Sequence, residues 1–183
     1  MIIVLEGVDG VGKSETGKAL AKSLGAPWYP TPPAAYLTKR HEIDAHASDD
    51  DHYQFYREGV VVASVELEIL RTIHPALIVD RYWLTTVVYH RVMGVSASLS
   101  DFPSILQPDL TVYLTASPDV QMMRLARRGM SAGDIRMLTR QDAIRAEYEK
   151  QLSSFSGKVL RIDTGEKTVE EVVAQILLFG NLA

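Results

Sequence analysis

The first fourteen residues constrain this chain more than any other stretch. A short apolar run, Met1 to Leu5, leads directly into Gly7-Val8-Asp9-Gly10-Val11-Gly12-Lys13-Ser14. The pattern is G-x-x-x-x-G-K-[ST], and it needs a strand before it and a helix after it. Met1 to Leu5 reads as a buried parallel strand, and Glu15 to Leu24 as the helix. Gly7 and Gly12 let the backbone wrap close to an anion, so that successive N–H groups point inward. The helix opening near Lys13 adds the positive end of its dipole. Lys13 supplies a mobile point charge for the outer phosphates, and the Ser14 hydroxyl suits Mg²⁺. A dinucleotide site is excluded by spacing, because Gly10-x-Gly12 is followed by Glu15 where a third glycine is needed. Gly10, Val11, Gly12, Lys13, Ser14 and Glu15 are therefore the residues expected around the phosphates of a nucleoside triphosphate.

With 183 residues, 46% of them hydrophobic and 23% charged, residues 1–183 suit one soluble domain with a full core. No apolar run reaches the length of a membrane span, and Glu6 interrupts the N-terminal one before it could serve as a secretory signal. The absence of cysteine excludes disulfides and thiolate metal sites and fits a cytoplasmic protein. A net charge of −4 speaks against a general nucleic-acid surface.

Strand-like segments at Ala26 to Tyr29, Leu77 to Val79, Leu110 to Leu114 and Val159 to Ile162 alternate with helical ones. With the first strand they predict a three-layer α/β fold, a five-stranded parallel sheet covered by helices on both faces. Pro30-Thr31-Pro32-Pro33 forces an extended loop. Ser48 with Asp49, Asp50 and Asp51 reads as a helix start. The helix that follows, His52 to Ile73, carries two apolar stripes and so expects burial on two sides. His41, His46 and His52 near Asp44 miss the spacing of helical metal ligands and read as a solvated loop and cap. Trp28 and Trp83, near strand ends, read as core residues.

Asp80-Arg81 stands at the carboxyl end of a strand, the edge where open parallel sheets bind ligands. Asp80-Arg81-Tyr82-x-x-Thr85-x-x-Val88-Tyr89 resembles the D-R-Y-x-x-S-x-x-A-Y segment of thymidylate kinases. Pro108-Asp109-Leu110, Pro118 and Arg124-x-x-x-Arg128-Gly129 are similar to a second run of that family, and Glu6 to Gly10 match its form of the phosphate loop.

The resemblance implies a P-loop kinase fold that uses ATP and Mg²⁺, with a nucleoside monophosphate as acceptor. It gives Lys13 and Arg81 the catalytic charge, and Ser14 and Asp80 the metal. Asp9 would orient the acceptor sugar or a metal-bound water. A lid over about residues 128–140 would close on the triphosphate, with Arg124 as a nucleotide contact and Arg128 or Arg136 supplying the arginine that Val11 leaves out of the loop. Phe55, Arg57, Tyr89 and His90 are the candidates around the acceptor. His90 is either a polar contact to the base or a surface residue.

Two departures from the family pattern concern the base. Tyr29 to Pro33 stand where R-E-P-G-G-T-like residues are usual. Counting F-x-x-x-R from Phe55 gives Gly59, with Arg57 two residues early. An altered base pocket is the expectation. A nucleoside kinase would need a carboxylate after the second strand, and none occurs between Glu15 and Glu42, so that role is unfilled unless Glu42 or Asp44 folds back. Deoxynucleoside or other hydroxyl kinases on the same scaffold, and a P-loop NTPase switch, are the alternatives. The family also pairs through helices on this side of the sheet, so a homodimer using the two-striped helix is expected. Otherwise its second stripe lies under Pro30 to Ala47.

Overall fold

The computed structural model describes residues 1–182. Five strands, β1 (Ile2–Glu6), β2 (Trp28–Pro30), β3 (Leu77–Asp80), β4 (Leu110–Thr115) and β5 (Val159–Asp163), form one parallel sheet in the order β2-β3-β1-β4-β5. β1 lies at its centre and is buried along its whole length, which is why it reads as continuous apolar sequence.

The chain leaves β1 towards β2 through α1 (Lys13–Leu24), then reverses direction for every later crossover. Right-handed connection puts helices from opposite directions on opposite faces. Accordingly α1 packs with α8 (Val169–Gly180), while α4 (Trp83–Met93) packs with α3 (Asp49–Leu70) and α7 (Gln141–Ser153). The reversal opens a crevice at the carboxyl ends of β1 and β3, which are adjacent in register at Leu5 and Asp80. Among the described residues no helix is long and apolar enough to cross a membrane.

The expected five-stranded, three-layer architecture is the observed one, with element ends shifted by a residue or two. Two segments differ. Residues after the prolines form a helix, α2 (Leu37–His46), where a loop was expected. Its one fully buried residue is the polar Asp44, so no apolar period announces it. Within the expected lid, about residues 128–140, a short helix, α6 (Ala132–Met137), follows α5 (Pro118–Arg128). Ser131 and Asp134 close a reciprocal cap at the start of α6.

The helix expected to be buried on two sides is divided. Tyr53, Val60, Ala63 and Leu67 are in the core. Of the second stripe, Phe55 packs edge-on against Tyr36, under the segment that follows the prolines. Ile69 is 59% exposed, as is its neighbour Val65 at 58%.

Candidate active site

The loop between β1 and α1 is shaped by where it must pass. Gly7 has φ of 136°, and a Cβ there would collide with the carbonyl oxygen of Leu114 at the end of β4. Gly10 and Gly12 also have positive φ, and Gly12 stands at the N-terminal end of α1. The turn brings Lys13 inward, where its ammonium donates to the Val8 carbonyl at 2.6 Å. Burial, joined by the Arg81 charge, lowers the Lys13 pKa from 10.5 to about 8 against the pull of Asp9, Asp80 and Glu6. Ser14 Oγ donates to the Asp80 carboxylate at 2.5 Å, so a hydroxyl and a carboxylate oxygen meet at the mouth of the loop. The cavity here is about 670 Å³ and is bordered by Gly10, Gly12, Lys13, Ser14, Glu15, Asp80, Arg124, Arg127 and Arg128.

Arg81 follows β3 directly, and its amide continues the sheet by donating to Leu5 O at 2.9 Å. It holds φ of 66°, an uncommon and costly conformation for a residue with a side chain. That backbone turn sends the guanidinium across the crevice to Gly7 O (3.0 Å), Thr85 Oγ1 (3.3 Å) and the Asp9 carboxylate. Tyr89 donates to the other Asp9 oxygen at 3.0 Å, and its ring lies 5.3 Å from the guanidinium. Burial alone would raise the Asp9 pKa, but the charges of Arg81 and Lys13 outweigh it and hold Asp9 below the ordinary carboxylate range. Under this pair lies Glu6, buried, accepting from the Tyr82 amide (3.1 Å), the Thr85 hydroxyl and Tyr148 OH (3.1 Å). Its burial prevails over those bonds and over Arg81, and raises its pKa from 4.5 to about 7.

Asp9, Arg40 and Arg81 border both this cavity and a narrower inner one of about 80 Å³. The inner cavity continues between α2, α3, α4 and α6, past Asp44, His52, Tyr56, Tyr89, His90 and Arg136. Arg40 reaches it from α2, with its Nε on Tyr56 OH at 3.1 Å and on Asp44 at 3.4 Å.

Most residues singled out in the sequence meet at these two cavities, and several do not behave as expected. Phe55 and Arg57 border neither one: Arg57 donates outward to Asp101 O and Gln54. Val11 is fully buried, and its carbonyl accepts from Thr164 Oγ1 at 2.9 Å. His90 is buried in the inner cavity wall and is not a surface residue. Arg124 borders the phosphate-loop cavity but is tied to Thr164. Arg128 pairs with Asp134 at 2.7 Å. Arg136 borders the inner cavity, where it bonds Asp49 (2.6 Å) and the Ala47 carbonyl (3.1 Å).

Asp44 and His52, expected in a solvated loop and cap, are instead buried and 3.2 Å apart. Arg40 and His52 are the residues of this cavity that the sequence reading missed, whereas Asp44 does fold back to it, as a nucleoside kinase's carboxylate would have to. The one available signal was the i, i+4 spacing of Arg40 and Asp44, an ordinary pattern on surface helices. Gly59 also acquires a reason: a Cβ there would lie 3.2 Å from Pro32 Cβ, so the proline loop packs where a side chain would otherwise start.

A parallel sheet with this switch point, a phosphate loop and an arginine-bearing strand end define a P-loop kinase, a phosphotransferase acting on nucleotides. The thymidylate kinase family model matches residues 5–176, and the chain belongs to that family. It is 26% identical to a probable thymidylate kinase of Methanocaldococcus jannaschii over 97% of this chain and 94% of that one. With a thymidylate kinase of Leptospira interrogans the identity is 29%, over 97% and 92%. In fold it is similar to thymidylate kinase from Candida albicans, with a TM-score of 0.80 at 19% identity over 99% of this chain and 92% of that one. A deoxyadenosine kinase from M. mycoides gives 0.72 at 18%, over the full length of both chains.

Proposed function

We propose that this protein is a cytoplasmic kinase that transfers the γ-phosphate of ATP to a nucleoside monophosphate. The observation that carries this reading is the cationic junction between the cavities. Lys13 faces one, while Arg40 and Arg81 face both. An acceptor that already carries a phosphate is ionised near neutral pH and needs positive charge and alignment more than a base. The carboxylates at hand are poor bases: Asp9 and Asp44 both have lowered pKa values, each through bonded and charged neighbours that outweigh burial.

In this reading Lys13 and the loop amides hold the donor phosphates, Arg81 spans donor and acceptor, and Arg40 holds the acceptor phosphate. Asp9 keeps Arg81 aligned and Tyr89 stacks against the acceptor. Ser14 and Asp80 fit Mg²⁺, since their oxygens are hard and already paired. Among the described residues no three His, Cys, Asp or Glu side chains gather as a metal cage, which suits an ion that keeps phosphate and water ligands. When bound, Mg²⁺ supplies charge neutralisation on the phosphates.

Small-molecule sites usually enclose roughly 300–1,000 Å³. The inner cavity falls well short of that, so acceptor entry calls for α6 to move. Residues 128–140 are the lid in this reading. Opening it breaks the Arg136 bonds to Asp49 of α3 and to the Asp44 and Ala47 carbonyls, and closing it over ATP turns Arg128 from Asp134 towards the phosphates.

Thymidylate is the first candidate acceptor, with a relaxed or shifted base preference. Pro32 against Gly59 supports the altered pocket, because a side chain starting there would meet Pro32 Cβ at 3.2 Å and need the proline loop to give by a few tenths of an ångström. A homodimer is the proposed assembly, through the exposed Val65 and Ile69 of α3. The test of the reaction is a panel of thymidylate, other pyrimidine and purine monophosphates, and the matching nucleosides, with products identified by mass. Phosphorylation of nucleosides alone would overturn the nucleotide acceptor. ATP hydrolysis indifferent to any acceptor would point to an NTPase.

A further inference from the structure

A row of buried polar side chains joins α2, α3 and α4 at the inner cavity. Asp44 Oδ1 lies 3.2 Å from His52 Nε2. His52 Nδ1 lies 2.7 Å from His90 Nε2, and His90 Nδ1 lies 2.6 Å from the Thr86 carbonyl oxygen. The three side chains are 7%, 8% and 2% exposed. A carbonyl at one end and an ionised carboxylate at the other can only accept. Each of the three contacts needs one proton between its heavy atoms, and two neutral imidazoles carry only two. Reversing either tautomer moves the shortage to another contact without removing it. With Asp44 ionised, the row is satisfied only when one imidazole carries an extra proton.

Asp44 is held as the carboxylate. It accepts from Tyr56 OH at 2.7 Å and Arg40 Nε at 3.4 Å, and burial is outweighed by its bonds to His52 and Tyr56 and the Arg40 charge. His90 is a poor place for the charge, since burial lowers its pKa to about 4 despite the Thr86 carbonyl. The groups around His52 agree. From α2 come Arg40 and Asp44, from its own helix Asp49, Tyr53 and Tyr56, from α4 His90, and from α6 Asp134 and Arg136. The carboxylate at 3.2 Å is in direct contact, and Arg136 is itself paired with Asp49 at 2.6 Å.

We propose that His52 is an imidazolium that donates to Asp44 and His90 at once, and that it is a positioning residue of the acceptor pocket. The double bond pins α2 to α3 and α4, and Arg40 stands one helical turn before Asp44 on the same face of α2. His52 thereby fixes where Arg40 meets the acceptor phosphate. The charge assignment rests on the row itself. Only its kinetic consequence rests on the acceptor reading above.

Nitrogen-15 NMR of the histidine rings in the ligand-free protein, at about pH 7, tests the charge. Two protonated nitrogens are expected on His52, and one protonated Nδ1 with a bare Nε2 on His90. Asp44→Ala removes the ionised end of the row, so two protons suffice for the contacts that remain and His52 Nε2 becomes bare. His52→Ala should raise the acceptor KM about tenfold and leave the ATP KM unchanged. Thermal melts confirm that each variant is folded. A bare nitrogen on His52 in the unsubstituted protein overturns the charge, and does so whatever the acceptor panel shows. Equal acceptor KM in folded His52→Ala overturns the positioning role.

Discussion

Replacing Lys13 by methionine should make the protein inactive and more stable. Lys13 is 5% exposed in the ligand-free fold, and burial lowers its pKa from 10.5 to about 8. Each pH unit between those values is worth about 1.4 kcal/mol, so holding the charge costs the empty fold about 3 kcal/mol at neutral pH. The sign follows from proton binding. Between about pH 8 and 10.5 the unfolded chain binds more protons than the folded one, so stability rises with pH across that window. Below pH 8 the whole cost is present.

Methionine keeps the aliphatic stem and removes the charge. It also removes the donor to Val8 O, a loss of roughly 1 kcal/mol. Lys13→Met should therefore be more stable than the parent by about 2 kcal/mol at pH 7. The difference should shrink on approaching pH 10.5. Urea denaturation at pH 7 and again near pH 10 measures both. Phosphoryl transfer should fall by about a hundredfold or more, from the loss of a transition-state contact worth roughly 3 kcal/mol. A variant equal to or less stable than the parent at pH 7 would refute the buried-charge account, and near-normal turnover in a folded variant would remove Lys13 from the chemistry.

Other substitutions separate the remaining roles. Arg81→Ala should lower kcat sharply and raise the acceptor KM while the ATP KM changes less; steady-state kinetics with each substrate varied decides this, and unchanged kinetics would leave Arg81 a structural strand-end residue. Arg40→Ala should act chiefly on the acceptor KM, about tenfold, as the loss of one charged phosphate contact. Glu6 has its pKa raised from 4.5 to about 7, so its contribution to stability is full below pH 4.5 and is lost as pH rises through 7, about 3 kcal/mol in all. Denaturation across that range should show Glu6→Gln with a flatter profile. Val65→Asp on the exposed face of α3 should give a monomer in sedimentation at micromolar concentration; a parent protein that is already monomeric there would rule out this dimer.

The phosphate loop and the parallel sheet were legible in the sequence because both are local. A loop that must turn on glycines and offer its amides has few alternatives, and a strand buried on both faces is apolar at every position. The expected ends of β1, β3, β4 and β5 therefore lie close to the observed ones. One wall of the outer cavity, Gly10 and Gly12 to Glu15, comes from one short segment. Asp80-Arg81 was legible for a related reason, since a polar pair closing an apolar strand must lie at the sheet's edge.

The inner cavity was decided by tertiary structure. Arg40, Asp44, His52 and His90 come from three helices, and beyond the i, i+4 spacing of Arg40 and Asp44 no periodicity relates them. Asp44 is buried because Arg40, Tyr56 and His52 satisfy it, a condition that spans α2 and α3. Without those partners the same residues on a polar helix read as solvent-facing. Phe55 and Arg57 show the converse, since residues suggested by counting along α3 turn away from both cavities. Gly59 and Pro32 lie 27 positions apart in sequence and meet only when the proline loop is laid across α3. Backbone demands were written in neighbouring residues; the pairing of buried charges was written only in the packing.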